Sequence, residues 1–320
     1  MLKIGVQTRN IVEDINPSTG FEMIARAGFS CVDFSLNDYL RNTDIYESKL
    51  NVFFDKSVSE LQDFFSPHKE AAKAASVSIT QMHMPYPLHV PYADRRINAY
   101  LSEIVAPKSL AICAFFECPY IVVHGFKLAR ELGSESAEWE MTERFLQGLA
   151  PLAADSGITL CVENLYSWSD GPCTNARIAA ERIDRFNDMF GAEVLGFCFD
   201  TGHANMLGLD FEDFLTTLGN RVKVLHVHDN DGIYDLHQIP FTFSRTRENK
   251  SLTDWEGFIS GLRNADYTSV LSFETGPVLQ TFPEELKEDV LAFIAKIGAY
   301  FIQRIANTKL APTLLPKIVI

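Results

Sequence analysis

One alternation, running the whole length of the chain, limits the folds it can adopt. Short runs of β-branched and aromatic residues are each followed by a longer segment with apolar positions every three to four residues, and Gly, Pro, Asn or Asp marks many joints. Eight such pairs can be read. The strands are expected at Lys3–Thr8, Cys31–Ser35, Ser78–His83, Tyr120–His124, Thr159–Glu163, Leu195–Asp200, Lys223–His228 and Thr268–Glu274. The helices are expected near Pro17–Gly28, Ser57–Ala75, Ala93–Glu117, Ala137–Asp155, Ala176–Phe190, Phe211–Leu218, Asp254–Arg263 and Pro283–Ile305. Parallel strands need crossover connections, and right-handed crossovers repeated eight times predict an α/β fold, a closed (β/α)8 barrel. An open doubly wound sheet would carry a Gly-rich phosphate loop after the first strand, and VQTRNIVEDINP contains none. No domain boundary or repeat interrupts the pattern, so one barrel is expected over residues 1–320, with an apolar tail (306–320) packing on the barrel or on a second subunit.

Composition excludes several function classes. At 47% hydrophobic residues the chain can bury a large core, yet it has no apolar run of the length a membrane span requires. A net charge of −14 argues against a phosphate-tracking nucleic-acid surface, which needs clustered Lys and Arg. The start, MLKIGVQTRN, reads as a strand rather than a secretory or transit peptide, and the six cysteines lack CxxC spacing, so a reduced, cytoplasmic protein is expected.

In such a barrel the chemistry collects at the carboxyl ends of the strands. Six successive ends carry His, Asp or Glu: His83, His124, Glu163, Asp200 with His203, His226 with His228, and Glu274. These three residue types make up 50 of 320 residues. Six such ends in a row would arise by chance in well under about one sequence in a hundred. Carboxylates at the ends of apolar strands are costly to bury unless a cation offsets them, so a divalent ion is expected. Mixed imidazole and carboxylate donors suit Mn²⁺, Zn²⁺ or Co²⁺ better than Mg²⁺. Glu163, Asp200, one histidine of the seventh strand and Glu274 form the primary set. Alternation places His226 and His228 on the same strand face, so periodicity leaves both open. Asp229 and Asn230 read equally well as strand terminators, and Asp235 and His237 as solvated loop residues.

CVENLYSW, FDTGHANMLG, LHVHDNDGIYDLH and SFETG, in this order, resemble the xylose-isomerase-like TIM barrels, a superfamily of sugar isomerases and epimerases, inosose dehydratase and endonuclease IV. The resemblance covers nearly the whole chain. It implies a single ion on Glu163, Asp200, His226 or His228, and Glu274, as in ketose 3-epimerases. The additional residues His83, His124, His203, Asp235 and His237 match the three-zinc pattern of endonuclease IV, as further metal or substrate contacts. The acidic charge disfavours the DNA-binding member.

A metal-dependent isomerase or epimerase of a ketose or ketose phosphate is therefore expected, with proton transfer through a metal-stabilised enediolate and Glu163 and Glu274 as the opposed acid–base pair. The substrate partner is a small sugar or sugar phosphate, with no nucleic acid or membrane involved and a homo-oligomer left open. Arg245, Arg247 and Lys250 are candidates to hold a substrate anion, and Trp168, Phe241 and Phe243 to wall the pocket. A multinuclear hydrolase, a sugar dehydratase and a non-catalytic sugar-binding barrel are the alternatives.

Overall fold

The computed structural model describes residues 2–129, 131–166, 173–243 and 253–307. Eight parallel strands form one sheet: β1 Lys3–Gln7, β2 Cys31–Ser35, β3 Ser78–His83, β4 Tyr120–His124, β5 Thr159–Glu163, β6 Leu195–Asp200, β7 Val222–His226 and β8 Val270–Phe273. Their spatial order follows the sequence, with β1 beside β8. The circle closes at the carboxyl end, where the Val227 N–H donates to the Ser272 carbonyl (2.8 Å) and the Glu274 N–H to the Val227 carbonyl (3.2 Å). The result is a nearly closed TIM barrel. β2, β5 and β6 are buried along their whole length, as parallel strands covered on both faces are.

Helices cover the outside: α1 Pro17–Ala27, α2 Val58–Ala74, α3 Ala106–Phe115, α4 Glu135–Asp155, α5 Ala176–Phe190, α6 Phe211–Leu218, α7 Trp255–Asn264 and α8 Lys287–Ala306. Local signals set their ends. At the start of α2 the Ser57 hydroxyl accepts from the Glu60 N–H while the Glu60 carboxylate accepts from the Ser57 N–H, a reciprocal cap. Asn175 caps α5 by accepting from the N–H groups of Arg177 and Ile178. The expected helix Ala93–Glu117 is instead Arg95–Tyr100, a π turn at Leu101–Val105, and α3. Short helices at Asn42–Tyr46, Thr201–Met206 and Gly276–Leu279 add to the carboxyl-end rim. Of the tail, only Ala306 and Asn307 lie within the described residues.

Register determines which strand ends meet. His124 pairs with Glu163 and Asp200 with His226, so each pair stands side by side at the mouth. The β2–β3 register slips by one between the pairs Val32–Ile79 and Asp33–Gln81. Such a slip re-aims side chains at a barrel rim. All six cysteines are unpaired and buried. No described helix is long and apolar enough to cross a membrane.

Candidate metal centre

Glu163 is the hub of the mouth. One carboxylate oxygen, Oε2, lies 3.2 Å from His124 Nε2, 3.4 Å from His83 Nε2 and 3.5 Å from His226 Nδ1. The other, Oε1, lies 3.1 Å from His203 Nδ1. Glu274 reaches the same His226 Nδ1 from beyond β8, at 3.3 Å, and Asp200 Oδ2 lies 3.9 Å from it. Asp200 itself is fixed twice: its Oδ1 accepts from the His203 N–H (2.6 Å), and its backbone is clasped by the Asn164 side chain.

A second group lies one step outward. Asp235 approaches His237 Nε2 at 3.1 Å, His203 Nε2 at 3.4 Å and His228 Nε2 at 3.8 Å, while His228 Nε2 also lies 3.0 Å from Asp200 Oδ2. His228 stacks on His237 with ring centroids 4.1 Å apart. Gly202 makes room for that ring, since a Cβ there would overlap the imidazole of His228.

The outward nitrogens of these imidazoles are tied down. His83 and His237 donate from Nδ1 to the carbonyls of Met84 (2.7 Å) and Glu274 (3.0 Å), and His203 Nδ1, which also faces Glu163 Oε1, donates to the Asn164 carbonyl (2.9 Å) and leaves Nε2 toward Asp235. His226 donates from Nε2 to Asp33 Oδ2 (3.1 Å). A carbonyl can only accept, so in the neutral form the inward nitrogen carries a lone pair aimed at carboxylate oxygens. Lone pairs facing lone pairs repel, so positive charge must lie between them as protons or as a cation. Glu163 Oε2, His226 Nδ1, His228 Nδ1 and Asp235 Oδ1 are buried without a hydrogen-bond partner among the described residues. Atoms bound to one divalent ion at about 2.1 Å stand roughly 3 to 4 Å apart, the spacing seen here. The donors therefore fit such an ion. Groups able to share one are His83, Glu163 and His226; Glu163, Asp200 and His203; Asp200, His228 and Glu274; and His228, Asp235 and His237.

The electrostatics follow from the same crowding. Burial pushes the Glu163 carboxyl up, but the imidazoles of His226 and His124 outweigh it and hold it well below the usual range. Glu274 is likewise pushed up by burial yet brought down to about 2, by His226 and His237. Burial depresses His237, and Glu274 and Asp235 more than offset this, raising it to about 9. His124 stays below its ordinary value because burial dominates.

The mouth opens into a cavity of about 440 Å³, within the range of small-molecule sites. Tyr86, stacked on His124 with centroids 4.2 Å apart, forms part of its wall.

The family profile described as xylose isomerase-like TIM barrel matches residues 21–297. The chain belongs to this family. Among curated relatives of this xylose isomerase-like barrel, uncharacterized protein MJ1188 of Methanocaldococcus jannaschii is 22% identical over 283 residues, 86% of this chain and 88% of that one. Uncharacterized protein y4fM of Sinorhizobium fredii is 23% identical over 146 residues, spanning 46% of this chain but only 42% of that protein. Similar solved structures include a D-psicose 3-epimerase in the presence of D-fructose, with TM-score 0.67, 15% identity and coverage of 94% of this chain and 99% of that one. A 3-keto-D-glucoside 4-epimerase from E. coli is also similar, with TM-score 0.66, 16% identity and coverage of 92% and 100%. At these identities the likeness shows the shared fold.

All ten strand-end and loop residues singled out in the sequence converge on this mouth: His83, His124, Glu163, Asp200, His203, His226, His228, Asp235, His237 and Glu274. Asp229 and Asn230 take the bland reading. Asp229 accepts from Thr253 and from the Thr242 N–H, and Asn230 binds the Gly202 carbonyl and Asn205. Phe241 packs against Trp255 and Phe301 rather than against the cavity. Arg245, Arg247, Lys250 and Trp168 lie outside the described residues. Sequence reasoning missed Asp33, which holds His226, and Gln7, whose Nε2 donates to Glu274 Oε1 (2.8 Å). The only available signal was a charged residue in the middle of the apolar strand CVDFS.

Proposed function

We propose that this protein is a divalent-metal-dependent sugar isomerase or epimerase, acting by proton transfer at a carbon beside a carbonyl. The observation that carries this reading is the approach of Glu163 and Glu274, from β5 and from beyond β8, to one unpartnered imidazole nitrogen, His226 Nδ1. The solved folds that resemble the chain include sugar 3- and 4-epimerases by name, which supports the same class.

Removing a proton from one face and returning it to the other needs two groups on different walls, one ionised and one protonated in turn. Glu163 and Glu274 are both held ionised before substrate arrives, so either can take the first proton, and the opposite glutamate returns one only after taking it up from a protonated imidazole of the mouth or from solvent. Gln7 orients Glu274 through Oε1 and leaves Oε2 toward the mouth. A bound ion, Mn²⁺, Zn²⁺ or Co²⁺ by donor type, supplies Lewis acidity where negative charge develops on the substrate oxygens. His226, Asp200, Glu163 and Glu274 would hold it. Asp33 restrains the imidazole of His226, and Asn164 the backbone of Asp200.

The test is metal analysis of the purified protein, followed by a ketose screen in heavy water that reads deuterium uptake at the reacting carbon. Glu163→Gln is expected to abolish turnover while sparing substrate affinity; unchanged turnover refutes the reading.

A second reading, a multinuclear hydrolase, is favoured by the outer group of His203, His228, Asp235 and His237. One ion per chain supports the isomerase, and two or three supports the hydrolase.

A further inference from the structure

Three described tyrosines, Tyr46, Tyr86 and Tyr166, line the cavity beside the carboxylate–imidazole cluster. Tyr46 and Tyr166 are exposed at the rim, whereas Tyr86, in the loop after β3, is half-buried. The Tyr86 ring lies on His124, with centroids 4.2 Å apart, and stands 5.2 Å from His83. Those two imidazoles are the ones that reach Glu163 Oε2, and contact with both holds the phenol in place. Its hydroxyl has no hydrogen-bond partner among the described residues. Burial makes this phenol harder to ionise, and the carboxylates of Glu274, Glu163 and Asp235 act in the same direction, with Arg9 partly opposing them. Charges on β5, on the loop after β7 and beyond β8 thus all act on one oxygen, which places it at the cavity rather than behind the wall.

A neutral phenol supplies what the rest of the mouth lacks. The imidazole protons of His83, His237 and His226 are held by backbone carbonyls or by Asp33, and the carboxylates only accept, so the site is rich in acceptors and poor in free donors. Removing a proton beside a carbonyl puts negative charge on the carbonyl oxygen. A fixed donor aimed at that oxygen binds the transition state better than the ground state. We infer that the Tyr86 hydroxyl donates a hydrogen bond to the substrate oxygen that gains this charge, which makes Tyr86 a further catalytic residue. This rests on the isomerase or epimerase reading and adds to it a group outside the ligand set. The phenol keeps its proton throughout, and no bond to it forms or breaks.

Tyr86→Phe keeps the stacked ring and removes only the donor. The readout is deuterium uptake from heavy water, with Mn²⁺ present, by whichever of D-fructose, D-tagatose and D-psicose wild type exchanges fastest. The variant's kcat should fall by about 10²- to 10³-fold, the cost of one lost oxyanion donor, with KM nearly unchanged. Tyr92→Phe removes a phenol from the same loop but outside the cavity lining, where it meets Glu131, and should leave kcat unchanged. A Tyr86→Phe kcat within threefold of wild type overturns the proposal. So does a loss confined to KM, or one matched by a loss of Mn²⁺ affinity, since the ring would then serve only to hold His124. A second measurement needs no deletion: the fluorine NMR resonance of 3-fluorotyrosine placed at position 86 should shift on saturation with glycolohydroxamate, a planar mimic of the enediolate. An unmoved resonance overturns the proposal. Wild type that exchanges none of the three sugars sinks the isomerase reading and the proposal with it, whereas wild-type exchange beside an unimpaired Tyr86→Phe sinks the proposal alone.

Discussion

Replacing Asp33 should weaken metal binding at the proposed centre although Asp33 is not among the proposed ligands. His226 and Asp33 are both fully buried, and the imidazole Nε2 lies 3.1 Å from the carboxylate Oδ2. That contact fixes which ring nitrogen carries the proton and turns the bare Nδ1 toward Glu163 and Glu274, at 3.5 and 3.3 Å. Asp33→Ala removes the acceptor, leaves a buried N–H without a partner and frees the ring to rotate. Loss of such an outer carboxylate lowers metal affinity by roughly tenfold to a hundredfold, or 1.4 to 2.8 kcal/mol. Asp33→Asn keeps an acceptor oxygen but drops the charge, so its loss belongs near the lower end of that range. The assay is competition for Zn²⁺ against a chromogenic chelator, with His226→Ala as the reference for a lost ligand and thermal melts to show that each variant is folded. If folded Asp33→Ala binds Zn²⁺ within twofold of wild type while His226→Ala does not bind, the assignment of Asp33 as the restraint on His226 is wrong.

Three further outcomes follow from the same geometry. Glu163→Gln should cost about 10²- to 10⁴-fold in turnover, the span of a lost general acid–base group, measured by deuterium uptake at saturating sugar. Gly202→Ala places a methyl group in the ring of His228, and this overpacking should destabilise the protein by about 1 to 3 kcal/mol in a urea titration; unchanged stability would mean the ring can shift freely. Restoring the metal to chelator-treated protein at a free concentration of about one hundred times its Kd should add about 2.7 kcal/mol of stability. A melting temperature indifferent to the metal would show that no ion binds the folded mouth.

Local physics made much of this molecule legible. Runs of four to six residues, each followed by an amphipathic segment, set the eight strands and their order, because a parallel sheet accepts few other threadings. The same rule brought the strand ends to one rim, so the residues of LHVHDNDGIYDLH and SFETG could be assigned to a common site before any contact was known. Short-range signals also marked several helix ends, as with Ser57 and Asn175.

What the sequence left open depended on distance and register. His226 and His228 share a strand face by alternation, and only the closed barrel separates them. β7 ends at His226, whose Nδ1 is turned inward by Asp33, whereas His228 lies further out against His237 and Asp235. Asp33 and His226 are 193 positions apart, and a one-residue slip between β2 and β3 adjoins the pair Asp33–Gln81. Periodicity is a local property and fixes which face a residue occupies. Which partner it meets on that face depends on barrel closure and stagger, which involve all eight strands at once.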